Sequence, residues 1–305
     1  MLYRIIAGRR HWQDVWRTSS ALRRGRFANL PGRDFGRFGQ RIGLELLLRG
    51  QNKEGWVHLT YPLSSTRYFE FDFVRRHLPS KTGNALDVAS PYLFSFYMQK
   101  HGRFPIAMLN PDPADVKRTR RLMSELHIKG VDLMSVGLEE LPNDRTFDVV
   151  WSISVVEHVR NGSFDDVSAV RRMYAALRPG GSLLLTVPVD RTCWDEYREN
   201  KDYGVQRSDG TGRYFFQRFY DERTVLDLMR QATGKQPDVL EWYGEKTAGH
   251  FHEYIARWQK EGMSYIVRDP QIFADAYRAY PSWSEMPGVG VCGIVAVKPS
   301  ESKAI

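Results

Sequence analysis

His158 is the side chain in this sequence best suited to remove a proton from an oxygen nucleophile. It lies in the segment FDVVWSISVVEHV, just after an apolar run, Phe147–Ser152, that predicts a buried strand. Imidazole ionises near neutral pH, so a histidine at the end of a strand can serve as a general base. A histidine that caps or packs against a neighbouring strand explains the position equally well. Glu157 fits a structural role better, and Asp190 and Asp195 are weaker candidates for the base.

Residues that could bind a ligand follow three other predicted strands. They are Asp87, Ser90, Asn110 and Gly137. Ser90-Pro91 predicts the start of a helix, with Ser90 as N-cap and Pro91 as the first helical residue. The free N–H groups and the positive dipole end of such a helix suit a carboxylate. Because parallel strands end at one edge of a sheet, we expect these residues to lie close together.

The segment 147–189 predicts the unit that positions these residues. A buried strand at 147–152 precedes a helical stripe from Val167 to Leu177, and a second buried strand follows at 182–187. Arg178-Pro179-Gly180-Gly181 ends the helix, because proline cannot continue it and glycine readily adopts positive φ. Strand, helix and strand form a βαβ unit with a right-handed crossover, which predicts a parallel sheet.

The phrases FDVVWSISVVEHV and LRPGGSLLLTVP, at this separation, resemble strands four and five of class I S-adenosylmethionine-dependent methyltransferases of the type 11 group. The resemblance covers roughly residues 60–298. It implies an α/β, Rossmann-like fold with a seven-stranded, mostly parallel sheet, helices on both faces and an antiparallel last strand. Together with the apolar runs it predicts strands at 85–88, 105–109, 131–136, 147–152, 182–187, 239–243 and 290–297.

The resemblance also implies S-adenosylmethionine as the cofactor. It places the methionine part over Asp87 to Pro91, the ribose near Asn110, and the adenine near Gly137 and Leu138. A helix before strand one often reaches the cofactor's carboxylate in this family, and Arg67 and Tyr68 lie at a suitable distance. The alternative is a core Tyr68 and a surface ion pair for Arg67. The expected cofactor residues are Arg67, Tyr68, Asp87, Ala89, Ser90, Pro91, Asn110, Gly137, Leu138, Ser152 and Ile153.

The loop after strand one departs from the family pattern. The places of its three glycines fall on Ala89, Pro91 and Leu93. Glycine lets the backbone approach a ligand closely, but S-adenosylmethionine has no pyrophosphate to cradle, so the requirement is softer. A closed, inactive site is the alternative interpretation of this degenerate loop.

Two further cofactor positions also depart from the pattern. The acidic ribose ligand is replaced by Asn110, and the adenine-binding aspartate by Gly137. Losing a charged acceptor costs on the order of 1–2 kcal/mol, so we expect weak cofactor binding and tighter binding in Asn110→Asp. Asp112 is a second candidate for the ribose.

Composition narrows the class of protein. Cys193 and Cys292 lie far apart without metal-type spacing, so we expect free thiols in a reducing compartment and no metal site. No apolar run is long enough to span a bilayer, and we find neither a secretory signal nor a nucleic-acid-binding signature. These features predict a cytoplasmic protein without sequence-specific nucleic-acid contacts.

The excess positive charge, +8 in total, is concentrated near the start of the chain. We expect a basic helical extension at 1–58, a methyltransferase domain at 59–298 and a tail at 299–305. The extension would bring the protein to an anionic membrane or partner. A solvated tail, or arginines that pair with acids of the domain or of a second subunit in a homodimer, are the alternatives. The arginines are Arg4, Arg9, Arg10, Arg17, Arg23, Arg24, Arg26, Arg33, Arg37, Arg41 and Arg49.

The stretch 248–287, before the last strand, is longer than an ordinary connection. It is rich in aromatic residues between His250 and Trp283. The simplest interpretation is a lid-like insertion or a partner surface, although its aromatics fit a core role at least as well.

The favoured function is methyl transfer from S-adenosylmethionine to a small-molecule or glycan acceptor at oxygen. The phrase RYFFQRFYD resembles bacterial methyltransferases of polysaccharide and related biosynthesis. The alternative is a methyltransferase-like domain that binds cofactor or a partner without turnover. A nicotinamide oxidoreductase is disfavoured because no GxGxxG follows strand one.

Overall fold

The protein was studied as a computed structural model that describes residues 2–23, 30–102, 104–200 and 210–300. The strands are β1 (Ala85–Val88), β2 (Ile106–Leu109), β3 (Val131–Met134), β4 (Phe147–Ile153), β5 (Arg160–Asn161), β6 (Phe164–Asp165), β7 (Leu177–Val189), β8 (Trp194–Arg198), β9 (Tyr214–Phe219), β10 (Val239–Glu245), β11 (Tyr277–Tyr280) and β12 (Gly290–Val297). The helices are α1 (Leu2–Arg23), α2 (Arg33–Leu48), α3 (Asn52–Thr60), α4 (Arg67–His77), α5 (Tyr92–Gly102), α6 (Pro113–Glu125), α7 (Asp166–Ala175), α8 (Glu222–Thr233), α9 (His250–Glu261), α10 (Met263–Ile266) and α11 (Asp269–Ala276).

A mixed sheet of eight strands, in the order β11-β10-β12-β7-β4-β1-β2-β3, forms the centre of the molecule. Five neighbouring strands of this sheet, in the order β3, β2, β1, β4 and β7, pair in parallel. Strand β12 is antiparallel to both β7 and β10. The predicted Rossmann-like class is confirmed, as are the parallel pairing of β4 with β7 and the antiparallel last strand. The predicted strand count of seven is wrong by one, because β11, within the insertion, pairs with β10 and forms the edge of the sheet.

Helices cover both faces of the sheet, since alternate residues of each strand point to opposite faces. Val149 and Trp151 of β4 belong to the core that includes α2, α4 and α5. Val150 belongs to the second core, with residues of α7 and α8. The helix predicted from Val167 begins at Asp166 as α7, and Val156–His158 forms a separate 3-10 turn between β4 and α7.

The amino-terminal helices share the core of the predicted methyltransferase domain. Phe35 of α2 is fully buried and lies 5.2 Å from Phe71, 5.6 Å from Phe94 and 4.2 Å from Tyr97 between ring centroids. One continuous core therefore crosses the predicted boundary at residue 58. The side chains of Arg4, Arg9, Arg10, Arg23, Arg24 and Arg26, and residues 301–305 of the tail, lie outside what the structure describes.

The insertion at 248–287 packs against the same amino-terminal helices. The Thr18 hydroxyl donates to the carbonyls of Thr60 and Val267, at 2.9 and 3.1 Å. Asp269, at the start of α11, accepts a hydrogen bond from the backbone N–H of Ser65 at 2.8 Å. The insertion thus ties α1 and the loop before α4 to the edge of the sheet.

Candidate active site

A cavity of about 440 Å³ opens at the carboxyl edge of the sheet. Its walls come from the ends of β1, β2 and β4, as expected for a ligand site in an open α/β sheet. The volume lies in the range of small-molecule and cofactor sites. The lining residues are Arg67, Val88, Ala89, Pro91, Tyr92, Leu109, Asn110, Pro111, Asp112, Asp115, Arg118, Gly137, Leu138, Glu139, Ser154, Val155, Val156, His158, Val159, Arg160, Phe164, Ala169, Met173 and Phe215.

The loop after β1 keeps a glycine-like conformation without glycine. Ala89, at the place of the first family glycine, has a φ of 52°. Left-handed φ is disfavoured for alanine and is held here by the surrounding contacts. Fully buried Asp87 accepts hydrogen bonds from the Ser90 N–H at 3.0 Å and from the Ser95 hydroxyl. The turn is therefore built from side-chain contacts.

Ser90 has a different role from the one its position before Pro91 suggests. Its hydroxyl accepts a hydrogen bond from the Ile153 N–H at 3.0 Å, and α5 begins at Tyr92. The loop after β1 is thereby fixed to the end of β4. Burial raises the pKa of Asp87, which lies beneath this loop.

Asn110 lies at the end of β2 beside two carboxylates. Its side-chain carbonyl accepts from the Asp112 N–H at 2.9 Å, and its amide donates to Asp115 Oδ2 at 3.3 Å. Asp112 is the N-cap of α6, where its carboxylate accepts from the N–H groups of Ala114 and Asp115. Asp115 therefore brings a carboxylate close to Asn110, the position where the family has its acidic ribose ligand. The sequence did not predict this contribution of Asp115.

In the predicted adenine region, a backbone N–H that is already hydrogen-bonded lies next to an apolar surface. The Gly137 N–H donates to Glu140 Oε1 at 3.0 Å, while the buried Leu138 side chain lines the cavity. Val156, with Ala169 and Met173 of α7, also lines it. This wall suits an aromatic ring through apolar contact.

Of the two residues predicted from α4, only Arg67 lines the cavity. It donates to Glu70 Oε2 at 2.5 Å. Tyr68 is fully buried in the core and does not line the cavity, so its predicted cofactor contact is not seen here. The predicted tip of β4 also shifts by one position, because Ser152 and Ile153 lie buried beneath the cavity, and the residue that lines it is Ser154.

His158 lies on the cavity wall with a defined tautomer. Its Nδ1 lies 2.5 Å from the Phe216 carbonyl oxygen. A carbonyl only accepts, so Nδ1 carries the proton and the lone pair of the neutral ring is on Nε2. Nε2 is 3.8 Å from Glu157 Oε1. The arrangement orients the ring and is compatible with a general base.

Glu157 lies behind His158 and is 2% exposed. Burial raises the pKa of Glu157 to about 8, aided by the nearby Glu70, although Arg67 opposes the shift. Glu70 itself accepts from the hydroxyls of Ser154 and Thr186. The Glu157 carboxyl group beside His158 is therefore mostly protonated at neutral pH.

The weaker candidates for the base are held elsewhere. Asp190 accepts from the Trp194 indole N–H at 2.9 Å and does not line the cavity. Asp195 is partly buried, which raises its pKa, but hydrogen bonds from Arg218 and Arg160 lower it to below its ordinary value. A carboxylate with a lowered pKa is a poorer base.

The outer wall of the cavity comes from a hairpin and not from the predicted lid. Phe215 of β9 lines the cavity, and the Arg160 guanidinium lies 4.8 Å above the centre of its ring. Among the described residues, none from 248–287 lines this cavity, so the lid-like role of the insertion is not seen here. The phrase RYFFQRF contains three consecutive aromatic residues, and its sequence predicted neither the hairpin nor its position at the site.

Comparison with known proteins gives one family match. Residues 86–185, from β1 to β7, match the family model described as a methyltransferase domain. No curated protein matches the chain.

Similar solved structures are distant. The chain has 14% identity and a TM-score of 0.48 to a Burkholderia thailandensis 1,6-didemethyltoxoflavin-N1-methyltransferase, covering 85% of this chain and 88% of that one. It has 18% identity and a TM-score of 0.47 to the [4+2]-cyclase SpnF, covering 79% and 84%. For a Haemonchus contortus phosphoethanolamine N-methyltransferase 2 the values are 16% and 0.48, covering 76% and 52%. Likenesses at this level support no inference about the acceptor.

Proposed function

Because residues 86–185 are a methyltransferase domain on this fold, the chain belongs to the class I S-adenosylmethionine-dependent methyltransferases, and we propose that it methylates an oxygen of a small-molecule acceptor. The observation that carries the choice of oxygen is the cavity-lining His158, whose ring is oriented with its lone pair on Nε2. An oxygen nucleophile of a neutral alcohol or phenol needs a base, whereas an amine can react without one.

The cavity has the features that the cofactor requires. S-adenosylmethionine, when bound, supplies an electrophilic methyl group on a sulfonium. Arg67, at the start of α4, would hold its carboxylate, and the loop at Ala89 would follow its methionine chain. Asn110 and Asp115 would accept hydrogen bonds from the ribose hydroxyls, since both side chains line the cavity. Leu138 would pack against the adenine.

The residues near His158 define where the acceptor would bind. His158 would accept the hydroxyl proton at Nε2 while Nδ1 stays hydrogen-bonded to the Phe216 carbonyl. Protonated Glu157 adds no negative charge beside the ring at neutral pH. Phe215 and Arg160 would cover the acceptor from the hairpin and exclude water. A glycan residue with a free hydroxyl would meet the same groups as a small alcohol.

Transfer of labelled methyl groups tests this proposal. The full chain would be incubated with methyl-labelled S-adenosylmethionine and a panel of phenols, hydroxy acids, sugars and amines. We expect label on oxygen acceptors, and a fall of roughly 10²–10⁴-fold in kcat for His158→Gln with little change in S-adenosylhomocysteine affinity. A matched control is His252→Gln, an exposed histidine that does not line the cavity.

Two results would count against the oxygen proposal. Transfer confined to amines and insensitive to His158→Gln would assign nitrogen chemistry and a structural role for the histidine. Cofactor binding without transfer to any member of the panel would support the alternative of a binding domain without turnover.

A further inference from the structure

We infer that α1, α2 and α3 form a docking face for an anionic membrane surface. The apolar part of this face comprises Trp12, Trp16, Leu44 and Leu48, with exposures of 59%, 63%, 53% and 81%. Large hydrophobic side chains are rarely so exposed in a group, and such groups mark interaction sites. Among the described residues, the other exposed large hydrophobics are only Trp258, Met263 and Val297.

On α2 the exposed residues follow a single stripe. Arg37, Arg41, Leu44 and Leu48 are separated by four, three and four residues, which places them on one side of the helix. The opposite side is buried, including Phe35, Ile42 and Leu46. The stripe is therefore a second, outward face that combines cationic and apolar side chains.

Contacts between α1 and α2 show that Trp12 and Trp16 of α1 lie at the same end of the helix pair as Leu44 and Leu48 of α2. Gln40 of α2 donates to the Ser19 hydroxyl at 2.9 Å, and a Cβ at Gly36 would lie 3.0 Å from Leu22. Lower numbers on α2 thus meet higher numbers on α1, so the helices run antiparallel. Trp12 and Trp16 lie toward the end of α1 that faces Leu44 and Leu48.

The third helix joins the two pairs. Trp12 packs edge-on against Trp56 of α3, with ring centroids 5.2 Å apart. A Cβ on Gly55, next to Trp56, would lie 2.7 Å from the Leu47 side chain of α2. The exposed tryptophans and leucines therefore belong to one helical surface.

The charge of the face is positive and in part uncompensated. Within the described chain, Arg37 and Arg41 have no hydrogen-bond or ion-pair partner, and both are exposed. Exposed Lys53 on α3 adds to them. Arg118 and Arg121 of α6 form ion pairs with Glu54 of α3, which joins the basic surface of α6 to this face.

This combination favours a membrane over the other occupants. Tryptophan is enriched at the headgroup level of membranes, and arginine is attracted to anionic lipid. A second copy bound through the same patch would bring two sets of Arg37 and Arg41 into one interface, because a twofold interface uses the same patch on both subunits. In the described part of the chain no helix is long and apolar enough to cross a bilayer, so the contact proposed is peripheral.

Docking also bears on access to the cavity. Helix α6 begins at the cavity, where Asp115 and Arg118 are lining residues, and Arg118 and Arg121 form ion pairs with Glu54 of α3. Helix α6 therefore connects the cavity to the docking face.

The test is flotation of the full-length protein with lipid vesicles. We expect binding to vesicles of phosphatidylcholine with phosphatidylglycerol, and little binding to pure phosphatidylcholine. Binding should fall as salt rises from about 0.1 M to about 1 M, where the Debye length shortens from about 10 to about 3 Å. Arg37→Gln/Arg41→Gln should weaken partitioning roughly 30-fold, the factor for two cations near an anionic surface.

A second variant separates apolar from ionic contributions. Trp12→Ser/Trp16→Ser should lower binding at both low and high salt, since the lost contact is apolar. The charge-matched control is Arg223→Gln/Arg230→Gln on α8, where both arginines are exposed. Thermal unfolding of each variant shows whether the fold is retained.

Three outcomes would overturn the inference. The first is failure of the wild-type protein to float with anionic vesicles at low salt. The second is a loss of binding in the α8 control as large as that in Arg37→Gln/Arg41→Gln. A dimer in light scattering that Trp12→Ser/Trp16→Ser dissociates, without vesicle binding, would assign the face to a second copy.

Discussion

Replacing Glu157 by glutamine should stabilise the protein at alkaline pH and leave it little changed in acid. Glu157 is fully buried behind His158, and burial raises its pKa from 4.5 to about 8. Between these values the folded state holds a proton that the unfolded chain has released. Stability therefore falls as pH rises through this window and is fully reduced above about pH 8.

The magnitude follows from the shift. Each pH unit in the window costs the wild-type protein about 1.4 kcal/mol of unfolding free energy, so the whole window costs on the order of 4–5 kcal/mol. Glutamine has the shape of the protonated carboxyl group and does not titrate. The advantage of Glu157→Gln should therefore grow from under about 1 kcal/mol near pH 5 to several kcal/mol near pH 8.

Urea unfolding at steps from about pH 5 to about pH 9 measures this difference. Asp269, whose pKa burial raises to about 7, titrates equally in both proteins and cancels. The control is Glu253→Gln, at an exposed position on α9. A difference that is independent of pH, or a wild-type protein that gains on the variant as pH rises, would refute the assignment of a protonated Glu157.

Three further predictions test other parts of the structure. Phe35→Ala should lower the free energy of unfolding by about 3–5 kcal/mol, because it removes a buried ring between α4 and α5, whereas exposed Arg41→Ala should change it by under about 0.5 kcal/mol; denaturant unfolding measures both. Ala89→Gly should be tolerated, while Ala89→Val should cost on the order of 1–3 kcal/mol in the same assay, since its φ of 52° is unsuitable for a β-branched residue. Asn110→Asp should weaken S-adenosylhomocysteine binding in calorimetry, contrary to the sequence-based expectation, because Asp115 Oδ2 lies 3.3 Å from the Asn110 amide and would repel a second carboxylate.

Much of the sheet could be predicted from sequence because its strands are short apolar runs bounded by turns. The runs at 147–152 and 182–187 are buried on both faces, which is the pattern of central strands in a parallel sheet. Strand β11 could not be found this way, because Tyr-Arg-Ala-Tyr has only its two end residues buried and becomes a strand by pairing with β10.

The candidate site was predictable only where the contact lies next to a strand end. Ala89 and Asn110 directly follow β1 and β2, Gly137 and Leu138 come within four residues of the end of β3, and all four line the cavity. The sequence could not show that Arg67 faces the cavity while Tyr68 faces the core, because the orientation of α4 depends on its packing against the rest of the fold. Phe215 and Arg160 reach the cavity through tertiary contacts.

The interpretation of residues 1–50 also changes, because their packing is visible only in the structure. Their basic composition suggested an extension separate from the methyltransferase domain, but Phe35, Ile42 and Leu46 are buried in the main core. A truncation near Gly50 would remove part of that core and should unfold the protein. Point substitutions on the exposed stripe are therefore the proper test of membrane contact.

The central claim is that the cavity at the ends of β1, β2 and β4 binds S-adenosylmethionine, with Asp115 supplying the charged ribose contact. Calorimetric titration with S-adenosylhomocysteine tests it most directly. We expect one binding site in the wild-type protein and affinity lowered roughly tenfold or more in Asp115→Asn. The control Asp227→Asn, at a partly exposed position of α8 outside the cavity, should show no change. Absence of binding to the wild-type protein, or equal affinity in wild type and Asp115→Asn, would contradict the account.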